Sequence, residues 1–188
     1  WMHDNLGGDG GGISDCDGLI EFNLVYENLA NSVGGGGLSA CDGEIRFNLV
    51  RDNIADYPSV SGPFTFHADG GGFHECRATF HNNIVTGNSA DGRGGGFYDC
   101  SGLLAYNTLY SNGPIKFFSG IIENCILWGT SLEDAVVPQY SIVPTRALEE
   151  EGVGNLYTNP RLVDPAALDF RLRPDSPAID AGYESYAD

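Results

Sequence analysis

Basic residues are scarce in this chain. Nine Lys and Arg, with Lys116 the only lysine, stand against 26 Asp and Glu, for a formal net charge of −17. A nucleic-acid backbone or an anionic membrane surface would meet long-range repulsion, so neither is expected as a partner. Long hydrophobic runs are also missing: none approaches the roughly 18 apolar residues of a spanning helix, and membrane insertion is not expected. There is no G-X-Y period, which excludes collagen, and no L-x-x-L-x-L framework, which excludes leucine-rich repeats. What is abundant is glycine, 27 of 188 residues, about twice ordinary usage. Each glycine inside a helix costs about 1 kcal/mol, so an all-helical fold is disfavoured. A hydrophobic content of 41% with 11% aromatics is too rich for a disordered linker.

The glycines are not evenly spread. Twenty-four lie in residues 1–130 and three beyond, whereas six of the nine prolines come after residue 130. Upstream of that break the chain repeats itself. Gly12-Ile13-Ser14-Asp15-Cys16 returns as Gly37-Leu38-Ser39-Ala40-Cys41, Gly72-Phe73-His74-Glu75-Cys76 and Gly96-Phe97-Tyr98-Asp99-Cys100. Seven residues after each cysteine stands an asparagine (Asn23, Asn48, Asn83, Asn107), and five further on another (Asn28, Asn53, Asn88, Asn112). The second series extends back to Asn5, with intervals of 23, 25, 35 and 24 residues. A period near 24 is too short for paired-helix repeats and fits a coil of short strands joined by turns.

The columns of the repeat have a physical reading. Ile20, Ile45, Phe80, Leu104 and Ile122 share one register, and Val25, Val50, Val85, Leu109 and Leu127 another. Both should point inward and stack like on like at about 4.8 Å. Asparagines at the bends can satisfy turn backbone and bond to their counterparts one coil away. Gly-Gly-Gly runs suit the remaining corner, where a Cβ has no room. One coil cannot bury its face alone, but a stack can.

This pattern resembles the right-handed parallel β-helix repeats of the pectate-lyase-like superfamily, and more narrowly extracellular bacterial proteins built on G-G-G-I-x-x-C…I-x-N-N-x-I-x-x-N coils. The segment Asn155 to Gly182, with Asn159-Pro160-Arg161-Leu162-Val163-Asp164-Pro165 and Ser176-Pro177-Ala178-Ile179-Asp180-Ala181-Gly182, is similar to the stretch that often succeeds the last coil in such proteins. The expected fold is all-β: a right-handed parallel β-helix of about five coils over residues 1–130. Residues 131–188 complete or cap it in the same domain, with short strands at Tyr140–Val143, Arg161–Val163 and Asp169–Arg173. Trp1 falls at the Leu24 position and Met2 at the Val25 position, so the repeat starts mid-coil. A fragment of a larger protein, or self-association through the open first coil, is expected from that edge.

Cys16, Cys41, Cys76 and Cys100 share one column and Cys125 falls in the first asparagine column. Parallel stacking points their Cβ atoms the same way, which suits free packed thiols better than disulfides, and a linear ladder gives zinc no tetrahedron. Disulfides within the column remain an alternative. Asp9, Asp69 and Asp91 lead into glycine runs, while Asp17 and Asp42 come directly after ladder cysteines. Turn carbonyls beside such carboxylates could hold a structural calcium ion, or the aspartates simply form turns. No cofactor is expected to be required.

The resemblance implies a polysaccharide lying along an outward strand face, cleaved by calcium-held carboxylates with a basic residue or by aspartates in N-T-D, D-D, G-H-G and R-I-K segments. None of those segments occurs here. The longest loop, residues 56–70, brings Tyr57, Phe64, Phe66, His67 and Asp69 towards His74, Glu75, Arg77 and His81. Loops on a rigid scaffold often carry function, so His67, Asp69, His74, Arg77 and His81 are the catalytic candidates. Against this, His74 and His81 align with Ser14 and Glu21 of the first coil. Phe22, Leu24 and Tyr26, then Phe47, Leu49 and Arg51, then Tyr106, Thr108, Tyr110 and Trp128 form an outward stripe, either a sugar platform or a face covered by residues 131–188. Tyr57, Phe66, Tyr106, Tyr110 and Trp128 are the binding candidates. The expected function is a non-catalytic extracellular or cell-surface solenoid for adhesion or carbohydrate binding. The alternative is a lyase or glycoside hydrolase acting on an acidic polysaccharide.

Overall fold

The computed structural model describes residues 1–32, 34–57, 67–144 and 152–183. Its coils have four sides, each a parallel sheet one strand per coil deep. Side 1 stacks Ile13–Ser14, Leu38–Ser39, Phe73–His74, Phe97–Tyr98, Ile115–Lys116 and Leu132–Glu133. Side 2 stacks Gly18–Glu21, Gly43–Arg46, Arg77–His81, Ser101–Ala105 and Ser119–Glu123. Side 3 stacks Met2–His3, Leu24–Tyr26, Leu49–Arg51, Ile84–Thr86, Thr108–Tyr110 and Ile126–Trp128. Side 4 is shorter, with Leu6–Gly7, Leu29–Ala30, Ile54–Ala55 and Ser89–Ala90. The molecule is a parallel β-helix, and both apolar columns read from the sequence are its interior: Ile45, Phe80, Leu104, Val50, Leu109 and Leu127 are fully buried. Met2 pairs with Val25, the register expected for a mid-coil start.

Three of the four corners share one construction. A residue in the left-handed region turns the chain, and the next residue points its side chain inward. Asp15, Ala40, Glu75 and Asp99 precede the cysteines; Phe22, Phe47, Asn82 and Tyr106 precede the first asparagines; Asp4, Glu27 and Asp52 precede the second, all with φ between 48° and 57°. That conformation costs an L-residue about 1–2 kcal/mol. The inward side chain offsets it. Asn53 Oδ1 accepts from the Asn28 backbone N–H (3.1 Å) and Nδ2 (2.9 Å), while its own Nδ2 donates to Val25 O (3.0 Å) and Asn88 Oδ1 (2.9 Å). The same bonds run through both asparagine columns.

The cysteine column is a sulfur version of this ladder. The Cys41 N–H donates to Cys76 Sγ at 3.4 Å, and each buried thiol donates back to the carbonyl two residues before it. All five cysteines are free. Hydrogen bonding from the neighbouring thiol and burial push Cys41 up, hydrogen bonding with Cys100 pushes up Cys76, and burial pushes Cys125 up to about 12. In the next coil Phe118 takes the Cys100 position and packs against Phe97 and Phe80.

At the fourth corner the coils approach too closely for side chains. A Cβ on Gly36 would lie 2.5 Å from Gly71 O and 2.6 Å from Ile54 backbone atoms, and Gly35 sits at φ 78°. Side 4 ends at Ser89–Ala90, and from there the coils contract. Successive ladder partners lie 24 residues apart from Asn83 to Asn107, then 18 from Asn112 to Thr130, 16 from Cys125 to Ser141 and 14 from Ser141 to Asn155. The ladder thus passes residue 130, and glycine becomes rare because the side that required it is gone. Beyond it, Leu162–Asp164 and Asp169–Leu172 form an antiparallel pair, joined by a turn in which the Asp164 side chain accepts from the Ala167 N–H. The strand expected at Tyr140–Val143 is reduced to single bridges of Ile142 with Ile126 and Leu156, in the part of the stack where the coils have shortened.

Asn53→Ala removes four buried hydrogen bonds and should cost roughly 3 kcal/mol, read as a lowered urea midpoint. Thiol labelling at pH 8 should modify the half-buried Cys16 and spare the other four until the chain is unfolded, because buried neutral thiols are poor nucleophiles.

Candidate functional site

Polar side chains gather in two places on the outside of the coils. The first is the glycine corner and the adjoining edge of side 1. The Arg93 backbone N–H and guanidinium donate to Asp69 Oδ1 (2.6 Å) and Oδ2 (2.9 Å), and this carboxylate raises the Arg93 pKa. The guanidinium lies 4.8 Å from the Tyr98 ring centre, and burial raises the Tyr98 pKa. The His74 ring runs parallel to Tyr98 at 5.7 Å, with Ser39 Oγ at 3.5 Å from its Nδ1. His67 Nδ1 is 3.6 Å from Asp91 Oδ2, and Asp91 Oδ1 accepts the Ala68 N–H at 2.8 Å.

The second place is the open outer face of side 2. Register sets Glu21, Arg46 and His81 in one column. Arg46 donates from Nε to Glu21 (2.8 Å) and from Nη1 to Glu44 (2.8 Å). His81 Nε2 is 2.8 Å from the same Glu44 oxygen, and Asn82 Nδ2 is 3.1 Å from His81 Nδ1. These partners assign the proton to Nε2, leaving Nδ1 as acceptor. His81, and then Arg46, hold the Glu44 carboxyl below the usual glutamate range.

The catalytic candidates therefore divide. His67, Asp69 and His74 lie at the glycine corner, while Arg77 and His81 lie at opposite ends of one side 2 strand. His74 was expected among accessible polar groups beside the loop. It is instead 8% exposed, walled by Tyr98 and by Gly34, where a Cβ would meet the ring at 2.5 Å. Arg77 is exposed and its N–H is held by Asp42 Oδ1 at 2.8 Å. Of the calcium candidates, Asp69 has both oxygens on Arg93, Asp91 and Asp42 serve backbone N–H groups, and Asp9 and Asp17 are exposed. Among the described residues no three His, Cys, Asp or Glu side chains converge to hold a metal.

The outward stripe also divides. Tyr110 and Trp128 lie on side 3, where Phe170 meets Tyr110 edge-on at 5.9 Å and Asn159, Pro160, Leu162 and Pro165 close around both. The tail covers this end, so these two do not form an open platform. Tyr57 is half-buried at the entry to the loop, and Phe64 and Phe66 lie outside the described residues. Phe22, Phe47 and Tyr106 are not strand residues as alternation suggested; they occupy left-handed positions of the corner between sides 2 and 3. A left-handed residue turns its side chain out of the coil, and the three stay exposed at 73%, 43% and 40%.

That corner column reads Phe22, Phe47, Asn82, Tyr106, Asn124, Tyr140 from coil to coil. Phe22 and Phe47 stack at 5.2 Å and 5°, and Tyr140 stacks on Tyr183 at 4.8 Å. A cleft of about 460 Å3 opens around Asn82, between Thr79, His81, Leu103 and Tyr106. Another of about 220 Å3 lies around Asn124, between Tyr106, Tyr140 and Leu172. Asn124 Oδ1 accepts the Tyr183 N–H at 2.7 Å, and its Nδ2 is buried with no partner among the described residues. Sequence reasoning missed Arg46, Glu44, Asn82 and Asn124, though Arg46 shares a register with His81, and Asn82 and Asn124 share one with Tyr106.

The fold places the chain in the class of parallel β-helix proteins. Comparison with protein-family models, with curated proteins and with solved structures returned no match.

In a carbon-detected NMR titration the Glu44 carboxyl should titrate below the ordinary glutamate value and rise towards it in His81→Ala. The pairing is present above that ordinary value and is lost as pH falls through the depressed one. An unshifted Glu44 would contradict the geometry around Arg46.

Proposed function

We propose that this protein is a non-catalytic extracellular solenoid of the pectate-lyase-like type that binds carbohydrate at a cell surface. The observation that carries the reading is the corner between sides 2 and 3, where Phe22, Phe47 and Tyr106 stand exposed beside a hydrogen-bonded array of Glu21, Arg46, Glu44 and His81. Aromatic faces beside carboxylate and amide groups suit sugars, whose apolar C–H faces stack while their hydroxyls donate and accept. Two further features support binding without turnover. Arg77 and His81 are separated along one strand, and His67, Asp69 and His74 lie on another part of the coil, where Asp69 is bound to Arg93 and His74 is buried. A net charge of −17 also opposes the approach of an acidic polymer. No cofactor takes part in this reading, and a structural calcium ion is not needed for it.

The test is incubation with polygalacturonate and with neutral polysaccharides, with and without calcium. Retarded migration in a neutral polysaccharide gel, with no unsaturated product and no new reducing ends, is expected. Turnover abolished by Arg77→Ala or His81→Ala would establish the enzyme instead.

A further inference from the structure

We infer that Cys16 and Cys41, at the end of the cysteine column that solvent reaches, form a two-coordinate site for a soft monovalent cation of the copper(I) or silver(I) kind. The site lies apart from the carbohydrate reading and does not depend on it.

Register brackets this pair from both sides. Ser14 pairs with Ser39 and Gly18 with Gly43, so Cys41 stands over Cys16 one coil on. Direction is shared along the column: the Sγ atoms of Cys41, Cys76 and Cys100 each reach the carbonyl two residues back, at 3.3 Å, 3.4 Å and 3.4 Å. Side chains that point the same way keep their sulfurs about one coil apart, roughly 4.8 Å. A disulfide needs sulfurs about 2 Å apart, so one would have to draw the coils together. Two metal–sulfur bonds of about 2.3 Å placed end to end span about 4.6 Å, close to the coil spacing. Zinc gains nothing from such a pair, because it asks for four ligands in a tetrahedron. Soft monovalent copper and silver favour thiolates and accept two of them in a line.

Access and charge select this pair within the column. Cys16 is half-buried, whereas Cys41, Cys76 and Cys100 are enclosed and Phe118 takes the next position. Binding exchanges two thiol protons for one cation: both S–H bonds break, two sulfur–metal bonds form, and the protons pass to solvent. The pair then carries one net negative charge, which is costly deep inside and is best placed at the end that water reaches. Donors already surround the inner sulfur. The Cys16 backbone N–H is directed at Cys41 Sγ, and the Cys76 thiol is in hydrogen-bond contact with it from the opposite side. The Cys76 thiol and burial push Cys41 up while it is unliganded, but a coordinating thiol gives up its proton outright. Once held, the ion ties one coil to the next.

Titration of the reduced full chain with silver(I) in chloride-free buffer, competed against glutathione and read by thiolate–metal absorption in the ultraviolet, tests the site. The first equivalent should release two protons, block thiol labelling at Cys16 and show two sulfur neighbours by X-ray absorption. Excess zinc(II) should not displace it. Cys16→Ser and Cys41→Ala should each weaken that equivalent about a hundredfold, or about 2.8 kcal/mol. Cys125→Ser, outside the column, should leave it unchanged, and all three should keep the circular-dichroism spectrum. Cys16→Ser alters only a half-buried position, so it decides the matter even where Cys41→Ala fails to fold. One sulfur neighbour, or affinity kept in either column variant, reduces the site to a lone thiol and overturns the proposal. Three or more sulfur neighbours, or no silver bound, overturns it too.

Discussion

Everything in this molecule depends on a backbone that turns left-handed at the corners of each coil, mostly at non-glycine residues. Each turn is unfavourable taken alone, and it persists because the residue after it sends a polar side chain into the coil stack. There, Oδ1 of one asparagine takes both N–H donors of the asparagine beneath it, as Asn83 takes those of Asn48. The bond is therefore between coils, and the local strain is offset only once a neighbour is in place. Coils of this kind form cooperatively as a stack, with side chains of one type superposed along the axis. Cysteine can stand in for asparagine because a thiol also accepts from below and donates to the carbonyl two residues back, as Cys125 does towards Glu123 O.

The interior was legible because it repeats. Ile20, Ile45 and Phe80, or Val25, Val50 and Val85, announce an inward column by spacing alone, and the free thiols accord with their shared direction. The exterior was less legible, for a reason visible at Phe22. Alternation along a strand assigns in and out only within the strand, and Phe22, Phe47 and Tyr106 stand one residue outside it, at corners whose φ a pattern of hydrophobicity does not report. His74 was misplaced for a different reason. Its burial comes from Gly34 and Tyr98 in neighbouring coils, contacts between coils that a one-dimensional pattern does not report. The ladder beyond residue 130 escaped because its coils contract and its residue types change to Thr130, Ser141 and Asn155. Hydrogen-bonding capacity is retained there while sequence identity is not.

The acidic charge takes on a specific character once placed. At side 2 Glu21 and Glu44 are matched to one arginine and one histidine, so the face is polar and hydrogen-bonding without being strongly cationic. At the glycine corner Asp69 performs a structural task, tying the Arg93 backbone and side chain to the preceding coil. Carboxylates that looked alike in the sequence thus divide into those that hold coils together and those left to meet solvent or a ligand.

The shortening of the coils has a consequence for how the molecule can vary. Where four sides are present, a coil is an interchangeable part: its neighbours above and below present the same corners, and one more or one fewer leaves every contact type intact. Where side 4 is lost and the circumference shrinks, each coil fits only between the two it has. The same chain therefore contains a stretch whose length is free to change in units of one coil and a stretch whose order is fixed. A ruler made this way can be lengthened at one end while its other end keeps its shape.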